Sequence, residues 1–387
     1  MMTLREDRGP TKSEVLAESV SALSVMVGRD RLSFDADGRI PDPLFSELAS
    51  LGLFRLWLPT GLGGVELSAL GFMEVVEAAA ALDGTIGWLV GNGGGMSRIG
   101  AFLPTESAEE IFADPKAFVV SATGAMGRAV RVDGGYRVTG RWPFGSGARH
   151  ATWFSPVCAV ERDGQVTDEV IFVCAPRADV VVHDNWHVSG LCATGSVDFE
   201  LQDVLIDDRF VHAFQPEPTH PGTLYRLPTR SIFTWTVATV PLGMASGAID
   251  AFVRIASSTK RRGDAVSLAE RELVQSQLGS IHAQVSASRA YLRHTMSELL
   301  DALEAGVDLQ HARVEFGLAC TSASQAALAA IGVLTEMAGA ISISQSCPLE
   351  RFERDARAAA KHIAMSPAAY ITGGKRLLGQ DLSTTSF

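Results

Sequence analysis

The hydrophobic period of this chain changes twice along its length, and few folds accommodate that change. Between residues 12 and 82 apolar side chains recur every three or four positions. Val15, Val20, Leu23 and Val27 share one face of KSEVLAESVSALSVMVG (12–28), with Gly28 predicted as its stop. PDPLFSELASLGL (41–53) opens on proline and closes near Gly52, and SALGFMEVVEAAAAL (68–82) offers Ser68 as an N-cap. Near residue 116 the texture becomes short and β-branched, as in AFVVSATG, AVRVDGGYRVTGRW, EVIFVCAP and SVDFELQDVLI. Asp133-Gly134 and Asp163-Gly164 supply turn chemistry between such runs, which predicts an antiparallel sheet or small barrel and not alternating βαβ units.

Beyond residue 230 long helical patterns return. Val274, Leu278, Ile281, Val285, Leu292, Leu299 and Leu303 predict one helix over 268–304, stopped by Gly306. Residues 311–339 predict a second helix rich in small residues, and 351–379 a third, interrupted at Pro367. The class is therefore α+β, with a helical domain at 1–115, a β domain at 116–222 and a helical bundle at 223–387. Proline-rich PEPTHPG (216–222) marks the second junction.

Charge and cysteine usage narrow the function. Lys and Arg total 33 against 44 Asp and Glu, giving a net charge of −11, so no nucleic-acid partner is expected. Five cysteines without a C-x-x-C pair argue against a disulfide framework or a metal site, and a cytoplasmic location is expected. The charged start MMTLREDRGPTKSEV lacks an apolar core, so no signal peptide is read. No stretch is read as approaching the roughly 20 apolar residues that span a bilayer, so no membrane association is expected.

The stretch 140-GRWPFGSGARHATW-153 concentrates the candidate chemistry. Ser146 lies between Gly145 and Gly147, so its backbone can approach a flat ligand without a flanking Cβ, or simply turn between strands. In an extended strand Trp142 and Phe144 share a side, forming either a stacking wall or barrel core. His150 is either a polar partner at a site or a histidine bonded to backbone. The run 91-GNGGGMSRIGAF-102 lacks the strand context of a dinucleotide fingerprint, so no phosphate loop is read there. Late in the chain, 356-ARAAAKHIAMSPAAY-370 carries His362 and no Asp or Glu.

The helix–sheet–helix order and three local phrases resemble the acyl-CoA dehydrogenase superfamily over nearly the whole chain. These are LPTGLGGVELS (58–68), WHVSGLCATGSVDFELQDVLIDDRFV (186–211) and ERFERDARAAA (350–360). Within it, G-x-W-x-F-x-S-G-x-x-H-A-x-W, DGTIGWLVG (83–91) and PLERFERD (348–355) are similar to the two-component flavin-dependent monooxygenases. The resemblance implies a helical N-terminal domain, a central antiparallel β-barrel and a C-terminal four-helix bundle assembled as a homotetramer. It also implies an oxygenase that takes reduced FMN or FAD from a separate reductase. O2 would add to the flavin as a C4a-hydroperoxyflavin, and oxygen would pass to a small, aromatic organic substrate.

By the same resemblance, Ser146 would bond the flavin N5 and His362 would serve the C4a edge, its pKa near 6.5 letting it donate or accept a proton. Trp142, Phe144, Gly145, Gly147, Thr194, Ser196 and Arg261 would surround the cofactor, while Trp88, Met96 and His150 would face the substrate. Lys260, Arg261 and Arg262 either reach a flavin phosphate across a subunit interface or form a solvated helix end. Two departures stand out. Met96 replaces a histidine of the phenol-hydroxylating relatives, which suits an apolar ring such as an indole or polyketide. Cys192 replaces a common arginine. An acyl-CoA dehydrogenase would need a carboxylate base, absent from 356–370, although Glu272 or Glu298 on an earlier helix could supply one. A flavin-binding protein without catalysis is the third reading.

Overall fold

A computed structural model describes residues 9–229, 235–260 and 266–382. The N-terminal helices are α1 (Lys12–Ala22), α2 (Ser24–Asp37), α3 (Asp42–Ser50), α4 (Ala69–Leu82), α5 (Gly84–Met96) and α6 (Thr105–Ile111). Ser68 caps α4 by accepting from Gly71 N, as its sequence position predicts. Gly28 does not stop the first helical stretch. It lies inside α2, which ends instead on left-handed Gly38 at φ 58°.

Ten strands follow: β1 (Val119–Val120), β2 (Gly127–Val132), β3 (Gly135–Gly145), β4 (Trp153–Phe154), β5 (Val157–Arg162), β6 (Gln165–Val173), β7 (Ala175–Pro176), β8 (Val181–Val182), β9 (Val197–Asp207) and β10 (Val211–Ala213). Seven form a curled sheet in the order β10-β6-β5-β2-β3-β9-β8, and β1-β4-β7 form a second, smaller sheet. Asp133-Gly134 joins β2 to β3 and Asp163-Gly164 joins β5 to β6, with positive φ at Gly134, Asp163 and Gly164 as such turns require. The sheets are mixed and not wholly antiparallel, because β2 pairs parallel with β5 and β1 with β4.

The C-terminal helices are α7 (Thr223–Arg226), α8 (Val240–Ser258), α9 (Glu272–Glu304), α10 (Gln310–Ala338), α11 (Pro348–Ala359) and α12 (Ala368–Leu377). The small residues of α10 let it pack closely on α8, α9, α11 and α12. Those same residues make Gln310–Ile343 long and apolar enough to cross a membrane by length and composition, contrary to the sequence reading. The predicted last helix breaks earlier than Pro367. It ends at Ala359, and Ser366 takes the extended conformation (ψ 134°) that a following proline imposes. His362 therefore sits in a connection, not on a helix face. Buried residues of the helical ends and the sheet join in one apolar core.

Candidate active site

Helix α5 is almost wholly buried, and Asp83 starts it by accepting from Thr85 N at 2.9 Å. Its glycines let bulky neighbours approach; a Cβ on Gly93 would lie 2.3 Å from the Phe118 ring. The turn after β3 seats on the same ring, since a Cβ on Gly147 would lie 2.4 Å from Phe118. Gly147 also holds φ at 82°, which favours glycine independently of space. Phe118 thus clamps α5 against the β3 turn. That clamp sets Trp88 beside Ser146.

The Trp88 indole donates from Nε1 to Ser146 Oγ at 3.0 Å. Its ring also meets His362 edge to face, with centroids 5.5 Å apart and planes at 79°. One tryptophan therefore joins two residues 216 positions apart in the chain. Behind Ser146 runs a chain of hydroxyls: Ser146 to Ser196 at 2.8 Å, Ser196 to Thr194 at 2.6 Å, and Thr194 to the Leu191 carbonyl at 2.8 Å. A carbonyl only accepts, so Thr194 donates to it. All the remaining contacts are satisfied when Ser196 donates to Thr194 and Ser146 donates to Ser196. The Ser146 lone pair then receives Trp88. Ser146 can offer its proton to a ligand only by turning it away from Ser196.

His362 has a defined tautomer in this arrangement. Its Nδ1 accepts from Ala364 N at 3.3 Å, so the proton of the neutral ring is on Nε2. Burial lowers its pKa to about 4, and the imidazole is uncharged at neutral pH. The expected pKa near 6.5 is thus corrected downwards. At neutral pH this histidine is a hydrogen-bond donor through Nε2 and not an imidazolium.

The backbone behind the hydroxyl chain is held by α11. Leu191 adopts a left-handed φ of 54°, and its N–H donates to Asp355 Oδ1 at 2.6 Å. Burial first, then the nearby Asp83 charge, raises the Asp355 pKa to about 7. Arg351 sits among Asp83, Asp35 and Asp355. Asp355 belongs to the Arg-Asp phrase ERFERDARAAA, from which the sequence alone assigns it no role. A buried carboxylate anchoring a loop has no local sequence signature, so only the contact reveals it.

Several expected site residues lie elsewhere or act differently. Trp142 is fully buried, donates to Val157 O at 2.9 Å and stacks on Phe199. Phe144 is 66% exposed at φ 64° and meets Trp186. A break in register between Trp142 and Gly145 turns the two rings apart, so they form no common stacking wall. Gly145 is bare because a Cβ would strike Phe199 at 2.8 Å; like Gly147, it makes room for protein. Thr194 and Ser196 are buried, so they support Ser146 from behind. His150 stacks on Phe45 with centroids 4.3 Å apart, and burial followed by the Arg39 charge lowers its pKa to about 4. It serves the seam with the N-terminal helices.

Met96 is eight residues beyond Trp88 on α5, where it lines a separate small cavity. Cys192 donates to Val188 O and accepts from Arg354. Glu272 and Glu298 are exposed on α9. Arg261 and Arg262 lie outside the described residues, and Lys260, just past α8, is exposed. Among the described residues, the hydrogen bonds of Ser146, Trp88 and His362 include no carboxylate. The arrangement therefore offers a flat ligand one imidazole N–H, one switchable hydroxyl and an indole edge. Among the described residues, its hydrogen bonds include no carboxylate of the kind that α-proton removal uses.

Comparison with known proteins agrees with this chemistry. Residues 22–109 match the acyl-CoA dehydrogenase N-terminal domain and residues 235–367 match the acyl-CoA dehydrogenase C-terminal domain. The flavin-dependent monooxygenase oxygenase subunit HsaA of Rhodococcus jostii is 30% identical over 359 residues, covering 90% of this chain and 94% of its own. The indole-3-acetate monooxygenase of Pseudomonas putida is 27% identical, covering 91% of each chain. Among solved structures, XiaF from Streptomyces sp. in complex with FADH2 and glycerol superposes with a TM-score of 0.88 at 25% identity, covering 97% of this chain and 98% of that one. The 3-HSA hydroxylase from Rhodococcus sp. RHA1 also gives 0.88, at 27% identity, covering 97% and 100%. With this fold, these domain matches and a relative 30% identical over 90% of the chain, the chain belongs to the oxygenase components of the two-component flavin-dependent monooxygenases, a branch of the acyl-CoA dehydrogenase superfamily.

Proposed function

We propose that this oxygenase binds reduced flavin against the Ser146–Trp88–His362 group and oxygenates an aromatic substrate there. The observation that carries the proposal is Trp88, bonded to Ser146 at 3.0 Å and packed edge-on against His362. The donor set fits a reduced flavin, whose ring edge needs a few fixed hydrogen bonds and exclusion of water. When bound, that flavin supplies the electrons that activate O2.

This chain's own residues do the rest. His362 holds a neutral N–H at Nε2 with its tautomer set by Ala364 N, so it can donate without carrying charge into the pocket. Ser146 keeps its proton on Ser196 until a better acceptor arrives, and the hydroxyl line to Leu191 holds its oxygen in place. Trp88 closes the space between them to water. Arg261 is proposed to meet the flavin phosphate from a neighbouring subunit, with FMN and FAD both admissible.

The test is rapid mixing of the protein with chemically reduced FMN and O2, with hydrogen peroxide measured at the end. Slow flavin reoxidation and low peroxide release are expected for the wild type. Ser146→Ala and His362→Ala should each release roughly tenfold more peroxide, about the worth of one net hydrogen bond. Wild-type reoxidation as fast as that of free flavin would refute the reading.

The same proposal includes a separate reductase, a cytoplasmic setting, the three-part domain division above, and a homotetramer built on a four-helix bundle. Support for assembly comes from exposed Ile343, Ile371, Leu377 and Leu378 near the end of the chain. Ile371→Glu with Leu378→Glu is expected to convert a sedimenting tetramer to smaller species; an unchanged sedimentation coefficient would count against that interface.

A further inference from the structure

His362 reaches the site from a connection, so a group outside that connection must fix its place. The bonds within it are local. Met365 N donates to His362 O at 3.0 Å, Ser366 N to Ile363 O at 3.1 Å, and Ala364 N to the His362 ring. They make residues 362–366 one stiff turn without fastening it to the rest of the fold. Pro367 then lacks an N–H to continue the ladder and holds Ser366 extended at ψ 134°.

Thr321 ties the turn to α10. It is fully buried on that helix, and its hydroxyl donates to Ser366 O at 3.0 Å across 45 positions of the chain. A threonine inside a helix commonly returns its hydroxyl to the carbonyl one turn back, whereas Thr321 gives it to another element. Ser366 O also accepts from Ala369 N at 3.1 Å, so the tie sits where the turn passes into α12. One turn along α10, Gln325 Oε1 accepts from Tyr370 OH at 2.9 Å, but that pair is exposed. Gly373 of α12 admits Leu318 of α10 so closely that a Cβ there would lie 2.6 Å from it. The polar tie therefore stands on a packed seam.

We infer that Thr321 is a positioning residue for His362. Its hydroxyl fastens the turn to α10, and the turn carries the imidazole to the edge of Trp88, so Thr321 sets where Nε2 presents its proton. The inference rests on the proposed flavin site, where that N–H has to lie within hydrogen-bond reach of a ring edge. A group displaced by about 1 Å loses much of its catalytic worth. No proton transfer falls to Thr321 itself, because its own proton is held by Ser366 O.

The experiment measures hydrogen peroxide released on mixing the protein with reduced FMN and O2. Thr321→Val removes the donor while keeping a branched side chain, and is expected to release roughly fivefold more peroxide than the wild type. Because Ser366 O keeps Ala369 N, the urea midpoint of Thr321→Val should stay close to that of the wild type. Thr321→Ser, which retains the hydroxyl, should release peroxide near the wild-type level. In a His362→Ala background Thr321→Val should add nothing further, since a residue that acts through the imidazole has no effect once the imidazole is gone. Thr321→Ala replaces Thr321→Val if far-ultraviolet circular dichroism shows the latter unfolded. Three results would overturn the inference and leave the flavin site in place: wild-type peroxide release from Thr321→Val, an equal rise in the His362→Ala background, or Thr321→Ser behaving like Thr321→Val. A His362→Ala variant that releases no more peroxide than the wild type would instead overturn the flavin-site reading, and this inference with it.

Discussion

Gly147 shows how one residue can be chosen by two constraints. Its φ of 82° disfavours any side chain, and the Phe118 ring fills the space where a Cβ would project. Gly147→Ala is expected to cost about 2 kcal/mol by urea unfolding, through backbone strain and overpacking together. It should also loosen Trp88 from Ser146, because Phe118 supports both elements; a variant with unchanged stability and peroxide yield would show that the clamp is dispensable. At this scale the sequence singled out Ser146, His362 and Trp88, which the fold brings together, but misplaced their neighbours. Trp142 and Phe144 read as a pair because strand alternation was assumed, whereas the bulge that separates them depends on pairing with distant β9.

Elements position the site by contacts between distant parts of the chain. The last helical stretch breaks at Ala359, which frees His362 to swing into a connection and cap the short turn Ile363–Met365. The same α11 carries Asp355, whose oxygen holds the left-handed Leu191 and hence the end of the hydroxyl line. Asp355→Ala leaves Arg351 with fewer carboxylates in a buried setting and Leu191 N without an acceptor. A loss of about 3–5 kcal/mol in unfolding free energy is expected, as for other broken buried ion pairs. Peroxide release should also rise, since the loop behind Ser146 loses its anchor. A fall in stability without a rise in peroxide would make Asp355 structural only. Helix starts such as Ser68 and turns such as Asp133-Gly134 were legible because capping and turn chemistry are local. The glycine-rich end of α5 gives no helical signal in the sequence, because its glycines answer to Phe118, Thr236 and Leu53 from other parts of the fold.

Across the whole molecule, burial lowers the pKa of His150, His212 and His362 to about 4 in each case. Between pH 6.5 and about 4 the unfolded chain therefore binds more protons at these positions than the folded one. Stability falls as pH drops through that window. Asp355, with its pKa raised, acts in the opposite sense between about pH 7 and its unfolded value. Burial raises the Glu77 pKa as well, so it sides with Asp355, and three histidines against these two carboxyls predict a lower urea midpoint at pH 5 than at pH 7. His150→Phe, which preserves the stack on Phe45, should shrink that difference; an equal difference in wild type and variant would show that His150 titrates normally.

The sequence by itself determined the order of helices, strands and helices, the Asp-Gly hairpins, the family, and the presence of a hydroxyl and an imidazole with no Asp or Glu in 356–370. Each of those depends on residues close together in the chain or on a recognisable phrase. Only the tertiary structure decided that Trp88 joins Ser146 to His362 and that Ser196 and Thr194 stand behind the hydroxyl. Those pairings depend on which buried surfaces meet, and burial also sets the charge state of each histidine. No local spacing encodes either outcome.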